Sequence, residues 1–271
     1  MMIAKGRLFW KMTGSGNDFV FFDARHDPPG PLESPDAIGA LCDRRGGIGA
    51  DGVVFLENAP AADFGIRYFN RDGSLAELCG NASLCAVTLA ARLGITPRDG
   101  DYLFETTSGA LRGRLSGSSP EIDATPIREL DPAFLAQLMP GERRIGFARV
   151  GVPHLVLLCD AVDEMDVLGR GRALRHHESL RSGANVNFVS GVPGAWRMRT
   201  YERGVEDETL ACGTGSVATA AMLCTWGLDS SPVTIVTTSG AEVRVTLPDA
   251  AAPKLRGEGR LVFEGRVTEI P

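Results

Sequence analysis

The chain has 271 residues, 44% hydrophobic and 23% charged, with a formal net charge of −6. That is the composition of a globular chain able to bury a large core, as one large domain or two ordinary ones. Both signs of charge are spread along the sequence, so no basic stripe marks a nucleic-acid binder, and no apolar run is long enough to cross a membrane.

Met1 to Met12 carries Lys5, Arg7 and Lys11 without a long apolar run, unlike a secretory signal, and the expected location is the cytoplasm. Asp27 to Pro35 is Pro-rich and reads as a surface loop. Gly47-x-Gly49-x-x-Gly52 formally matches a dinucleotide-binding fingerprint. That fingerprint follows a strand and opens a helix, whereas here it precedes Val53-Val54-Phe55-Leu56, which reads as a strand. Arg67 to Arg71 alternates like a strand. From Cys79-Gly80-Asn81-Ala82-Ser83 to Gly94 runs an Ala- and Leu-rich helix with small polar residues at its start and a glycine stop. Thr106-Thr107-Ser108-Gly109-Ala110 is a turn leading into a strand, Leu111 to Leu115, and Ser116 to Thr125 is a Gly-, Ser- and Pro-rich seam. Asp131 to Arg144 reads as a short helix and an exposed turn. Arg170 to Arg181 reads as a solvated, charged helix face. Its neighbours His176 and His177 point different ways and do not make a metal site.

The second half repeats the first. Arg199 to Arg203 matches Arg67 to Arg71. Cys212-Gly213-Thr214-Gly215-Ser216 opens a helix that closes at Gly227, at the same distance as Cys79 from Gly94. Thr237-Thr238-Ser239-Gly240-Ala241 leads into a strand, Glu242 to Leu247. Three matched blocks in one order indicate an internal duplication. The expected halves are 1–118 and 119–261, and the last strand, Arg260 to Ile270, could join either; placing 262–271 with the first half is the working division.

Each half thus puts one cysteine at a helix start, where unpaired backbone N–H groups and the helix dipole favour a thiolate. A single such cysteine has several explanations, including simple core packing. Two, one per repeat, suggest thiols facing each other across a cleft, a geometry for moving a proton from one face of a carbon to the other. The same N–H groups suit a substrate carboxylate and the charge that grows on it as the α-proton leaves. Cys42, Cys159 and Cys224 read as buried apolar thiols, and the absence of CxxC pairs argues against a zinc cage.

The ordered motifs resemble the diaminopimelate epimerase family over nearly the whole chain. They are Lys11-Met12-Thr13-Gly14-Ser15-Gly16-Asn17-Asp18-Phe19, Cys42-Asp43-Arg44, Gly47 to Gly52, Phe69-Asn70-Arg71-Asp72-Gly73-Ser74, Cys79-Gly80-Asn81, Pro153-His154, Ala184-Asn185-Val186, Glu202-Arg203-Gly204 and Ala211-Cys212-Gly213-Thr214-Gly215. The resemblance implies an α/β (α+β) fold of two pseudo-symmetric domains, each a mostly antiparallel sheet wrapped round a central helix. It implies catalysis by Cys79 and Cys212 with no cofactor and no metal. It places Asn17 at the reacting end of an amino-acid substrate, and backbone N–H groups of Gly80, Asn81, Gly213 and Thr214 on its carboxylate. Asn70, Asn185, Glu202 and Arg203 match residues holding the distal end, with His154 in support. A small-molecule substrate and a homodimer are also implied.

Two departures stand out. Ala82-Ser83-Leu84 replaces the family's Gly-x-Arg before Cys85, and Val152 replaces the Asn that precedes Pro-His. Three functions therefore stay open: epimerisation of diaminopimelate, racemisation of another amino acid such as histidine, and a redox pair of thiols. On the residues alone, Asn17 and Asn70 also read as turn formers, and Glu202-Arg203 as a surface ion pair.

Overall fold

The computed structural model describes residues 6–76 and 79–268. Met1 to Lys5, the start of the segment read as unlike a secretory signal, and the end of the last expected strand at Ile270 lie outside them. Two compact units are formed, Met1–Ile122 with Glu258–Pro271, and Asp123–Gly257.

Along the chain the first unit holds β1 (Leu8–Gly14), β2 (Asn17–Asp23), α1 (Pro35–Cys42), β3 (Gly52–Glu57), β4 (Phe64–Asn70), α2 (Gly80–Arg92), β5 (Tyr102–Thr106), β6 (Gly109–Ser116) and β7 (Ser119–Asp123). The second holds β8 (Ile127–Asp131), β9 (Glu142–Val150), β10 (Val152–Cys159), α3 (Val167–Arg175), β11 (Asn185–Ser190), β12 (Trp196–Glu202), β13 (Asp207–Thr209), α4 (Gly213–Thr225), β14 (Val233–Val236), β15 (Glu242–Thr246) and β16 (Lys254–Arg256). The chain then returns as β17 (Arg260–Arg266), antiparallel to β1.

Among the described residues the first sheet runs β17-β1-β2-β3-β4-β5-β6-β7. Its successive pairings are antiparallel, antiparallel, parallel, antiparallel, parallel, antiparallel and antiparallel. The second runs β8-β9-β10-β11-β12-β14-β15-β16 with the same succession. Two sheets of identical order and sense are what a duplicated sequence produces.

In each unit one helix lies inside the sheet. α2 packs on β1 and β17 near one end of the strand order and on β6 near the other, and α4 packs on β9, β10, β11, β14 and β15. A sheet reaches the same helix from both ends only by curling round it. Such a helix has little solvent face, and both are built mostly of small and apolar residues, nine of the thirteen in each being buried. Glycine lets β6 approach: a methyl on Gly113 would overlap Val87 of α2. Both helices end in the same Schellman motif. Gly94 (φ 71°) and Gly227 (φ 69°) take the left-handed position. Gly94 and Ile95 donate back to Ala91 and Ala90, as Gly227 and Leu228 do to Cys224 and Leu223.

On the outer face of each sheet a second helix covers a separate core. In the first unit Phe9, Val20, Phe22, Val53, Phe55 and Phe69 meet Ile38 and Leu41 of α1. In the second, Phe147, Leu155, Leu157, Val186, Phe188 and Tyr201 meet Val167 and Leu174 of α3.

Local expectations are met unevenly. The Pro-rich segment Asp27 to Pro35 contains a 3-10 turn, Gly30–Glu33, with Leu32 fully buried, and it opens α1, whose N-cap Ser34 accepts from Ala37. Asp131 to Arg144 contains no helix; it is the end of β8, an irregular stretch, and the start of β9. Phe134 there packs on the outer core of its unit and meets the His177 ring edge-on at 5.2 Å between centroids. Gly47 to Asp51 folds back on the end of α1, with Ile48 and Gly49 donating to Leu41, and β3 begins at Gly52, so the glycine-rich stretch precedes a strand as expected.

Candidate active site

Cys79 and Cys212 are the N-caps of the two buried helices, with nearly the same backbone, φ −132° and ψ 114° against φ −132° and ψ 109°. The first intrahelical bonds run from Ser83 to Cys79 and from Ser216 to Cys212, each 2.9 Å. The N–H groups of Gly80 and Asn81, and of Gly213 and Thr214, therefore have no acceptor within their helices and point out at the positive end of the dipole. This is an anion-binding arrangement made twice.

In the first unit the β1–β2 hairpin brings Asn17 to this helix start. The turn is tight, with Ser15 at φ 51° and Gly16 at φ 105°. Gly14 lies so close to α2 that a Cβ there would stand 2.8 Å from the Asn81 carbonyl oxygen and 3.0 Å from the Cys85 sulfur. Asn81, 5% exposed, donates from Nδ2 to Oδ1 of Asn17 at 2.7 Å. Asn17 donates in turn to Asp51 at 3.1 Å. Cys79 lines a small cleft with Ile66, Tyr68, Ala76, Ala82, Thr106 and Thr107. Asn70 ends β4, and its side chain donates to Ser74 at 3.0 Å across the following turn, the turn-forming use that the sequence offered.

In the second unit His154, Asn185 and Glu202 lie on adjacent strands. His154 is the register partner of Asn185 on parallel strands. Asn185 Oδ1 accepts the backbone N–H of Arg203 at 2.8 Å, which holds the chain after β12. Arg203 donates to the Ser182 carbonyl at 3.2 Å, and Glu202 accepts from Thr209 at 2.8 Å. The surface ion pair between Glu202 and Arg203 is absent among the described residues. Burial raises the Glu202 carboxyl above its ordinary pKa, against the Thr209 hydrogen bond. His154 is fully buried; that burial, and then the charge of Arg203, push its pKa down to about 3, so the ring is neutral. Thr214 Oγ1 lies 3.7 Å from the Cys212 sulfur.

The four other thiols stand apart from this pattern. Burial pushes Cys42 up to about 11 and Cys159 up to about 12, and raises Cys85 and Cys224 as well. They behave as small core residues.

Asn187 was missed in the sequence. It is fully buried, accepts from Thr200 at 3.0 Å and donates to the Leu155 carbonyl at 3.0 Å. A Cβ on Gly215 would overlap its Oδ1 and come within 3.2 Å of the Cys212 sulfur. The signal was present: Asn185-Val186-Asn187 in a strand puts both amides on one face.

Matching the ladders also places the departures. Phe19 pairs with Gly52 as His154 pairs with Asn185, so Asn17, two residues earlier, corresponds to Val152. Val152 is half-buried at the start of β10. Val54 corresponds to Asn187, which explains why Ala82 is accommodated in α2 where Gly215 is required in α4. Leu84 is fully buried.

The sequence model of the family described as diaminopimelate epimerase matches twice, over residues 9–123 and 146–258. A diaminopimelate epimerase from Gemmatimonas aurantiaca is 50% identical, covering 97% of this chain and 99% of its own. One from Aquifex aeolicus is 39% identical, covering 96% and 98%. Among solved structures, a PhzF-family protein of Bacillus anthracis superposes with a TM-score of 0.73 at 14% identity, covering 97% of this chain and 99% of its own. A hydroxyproline epimerase from Agrobacterium vitis, bound to trans-4-hydroxy-L-proline, gives 0.63 at 20% identity, with 98% and 94% covered. The two structures show a shared fold. The sequence matches, over nearly full length, carry the family: this chain belongs to the diaminopimelate epimerases.

Proposed function

We propose that the protein interconverts LL- and meso-2,6-diaminopimelate, a step in lysine and peptidoglycan precursor synthesis, using Cys79 and Cys212 as the two acid/base groups. The observation that carries this reading is the pair of cysteine N-caps with matching backbone geometry. One thiolate takes the α-proton; the electron pair of the C–H bond passes into the α-carbon and its carboxylate. The other thiol then delivers a proton to the opposite face, and the roles reverse in the return direction. N–H groups of Gly80, Asn81, Gly213 and Thr214 stabilise the charge that develops on the carboxylate. Asn17 orients the reacting end. Asn185, Arg203, Glu202 and Asn70 receive the distal amino and carboxylate groups, with Arg203 suited to a carboxylate and Glu202 to an ammonium. His154 supports this end as a neutral ring.

Val152 favours a second reading, racemisation of a different amino acid, because a valine side chain offers no hydrogen bond. Incubation with LL-diaminopimelate and with a panel of single-enantiomer amino acids including histidine, followed by circular dichroism, separates the two. Turnover confined to diaminopimelate is expected; turnover of another amino acid with none of diaminopimelate would replace the first reading by the second. No helix among the described residues is long and apolar enough to cross a membrane. A cytoplasmic location, where thiols stay reduced, and the homodimer implied by the resemblance complete the proposal.

A further inference from the structure

Asn17 does not stand alone. Asp51 Oδ2 accepts from Asn17 Nδ2 at 3.1 Å and from the backbone N–H of Asp18 at 3.2 Å. Its Oδ1 accepts from Arg44 at 2.9 Å. Arg44 also forks onto Asp18, at 3.0 and 2.8 Å. Asp18 accepts from Lys11 at 2.7 Å and, in return, from the backbone N–H of Asp51 at 3.0 Å. Lys11 is 7% exposed and donates as well to the Gly49 carbonyl. The Asp51 carbonyl accepts from Arg71 at 3.1 Å, at the turn that follows Asn70. Two carboxylates and two cations thus hold one another in place beside the hairpin.

The consequence lies in the direction of the hydrogen bonds. A primary amide has a donating and an accepting end, and either end can face a neutral neighbour. A carboxylate only accepts. Asp51 therefore obliges Asn17 to present Nδ2 to it and Oδ1 to Asn81. Asn81 must then present its own Nδ2 to Asn17, at 2.7 Å. One fixed charge so sets the orientation of two successive amides, the second of them in the first turn of α2, two residues after Cys79.

We propose that Asp51, clamped by Arg44, is a positioning residue for the reaction: it dictates which ends of the Asn17 and Asn81 amides are presented at the Cys79 helix start. It touches no substrate itself and acts only through Asn17. This inference rests on the assignment of Asn17 to the substrate site.

The test is a double-mutant cycle with Asn17→Ala, Asp51→Asn and the double variant, measured as kcat and KM on diaminopimelate beside thermal melting. Asp51→Asn keeps the shape but removes the one-way constraint, so both amides can invert. We expect it to lower kcat/KM by roughly tenfold to a hundredfold, the cost of a misoriented contact. In the Asn17→Ala background the same change should have little further effect on kcat/KM, because the relay is already broken. Fully multiplicative effects on kcat/KM, or a loss in Asp51→Asn that follows the fall in melting temperature through the cycle, would overturn the proposal. If Asn17→Ala itself leaves kcat/KM unchanged, the assignment of Asn17 fails instead, and the two failures are distinct.

Discussion

Asn187 Nδ2 lies 3.3 Å from Nδ1 of His154 and decides which ring nitrogen carries the proton. Asn187 Nδ2 also donates to the Leu155 carbonyl, which can only accept, so the amide nitrogen is fixed on this side with the oxygen on the Thr200 hydroxyl; the nitrogen faces the ring as donor, and Nδ1 accepts. The proton then sits on Nε2, which is buried with no hydrogen-bond partner among the described residues. An imidazolium in this place would need a second acceptor that the core does not supply. Nitrogen-15 NMR of the histidine rings should show His154 as the neutral Nε2–H tautomer, without titration from about pH 5 to pH 9, since its pKa lies near 3. A titration midpoint near the ordinary histidine value would refute that assignment.

Acid should weaken the fold in two windows. Burial opposes charge on Asp18, but hydrogen bonds and charge from Arg44 and Lys11 outweigh it and hold the pKa at about 2, against an ordinary 3.8. Below 3.8 the unfolded chain takes up the proton first, so this stabilisation is present at neutral pH and is lost as pH falls towards 2. His154 acts in the same sense between 6.5 and about 3, because the unfolded chain is protonated there and the folded ring is not. Asp18→Asn should cost on the order of 1–2 kcal/mol at pH 7, allowing for partial solvent screening, and markedly less near pH 2.5. Urea midpoints at the two pH values measure the difference, and an equal cost at both would exclude the linkage.

Gly215 and Ala82 occupy matched positions in α4 and α2, yet their substitutions should not be equivalent. A methyl on Gly215 collides with Asn187 Oδ1 and crowds the Cys212 sulfur. Gly215→Ala is expected to destabilise by about 1–3 kcal/mol despite the better helix former, and to reduce turnover. Ala82→Gly should cost about 1 kcal/mol by helix propensity, together with a small void. Denaturation midpoints and initial rates of the two variants check this. A stabilised Gly215→Ala protein would mean that Asn187 moves aside freely.

Brief alkylation with iodoacetamide at neutral pH should modify Cys79 ahead of Cys42, Cys85, Cys159 and Cys224. Burial raises the pKa of those four thiols, whereas Cys79 lines a cleft at a helix start. Peptide mass spectrometry locates the adducts. Early labelling of Cys85 or Cys159 would contradict the placement of those side chains in the core.

Much of the site was legible because the duplication displays it twice. Cys79 and Cys212, with the glycine stops at Gly94 and Gly227, stand out once the halves are laid side by side, and the physics of a helix start suggests the chemistry proposed for them. Asn70 was read as either a ligand or a turn former, and its side chain does close a turn. Less legible were interactions that need the tertiary register. The clamp of Lys11, Asp18, Arg44 and Asp51 gathers residues from two strands and the loop between α1 and β3, and no local spacing announces it. Asn187 hides inside a buried strand, where an amide looks like an exception until its partners on β10 and β12 are known. The segment from Asp131 to Arg144, expected as a short helix and an exposed turn, forms no helix: it is an exposed irregular stretch from which Phe134 reaches the outer core.

Transfer by two thiols is tested most directly in deuterium oxide, starting from LL-diaminopimelate. Wild-type protein should give meso product carrying deuterium at the inverted carbon. Cys79→Ala and Cys212→Ala should each abolish epimerisation while remaining folded by circular dichroism. Wild-type turnover in either variant, or product that retains its original hydrogen at the inverted carbon, would contradict a two-thiol mechanism.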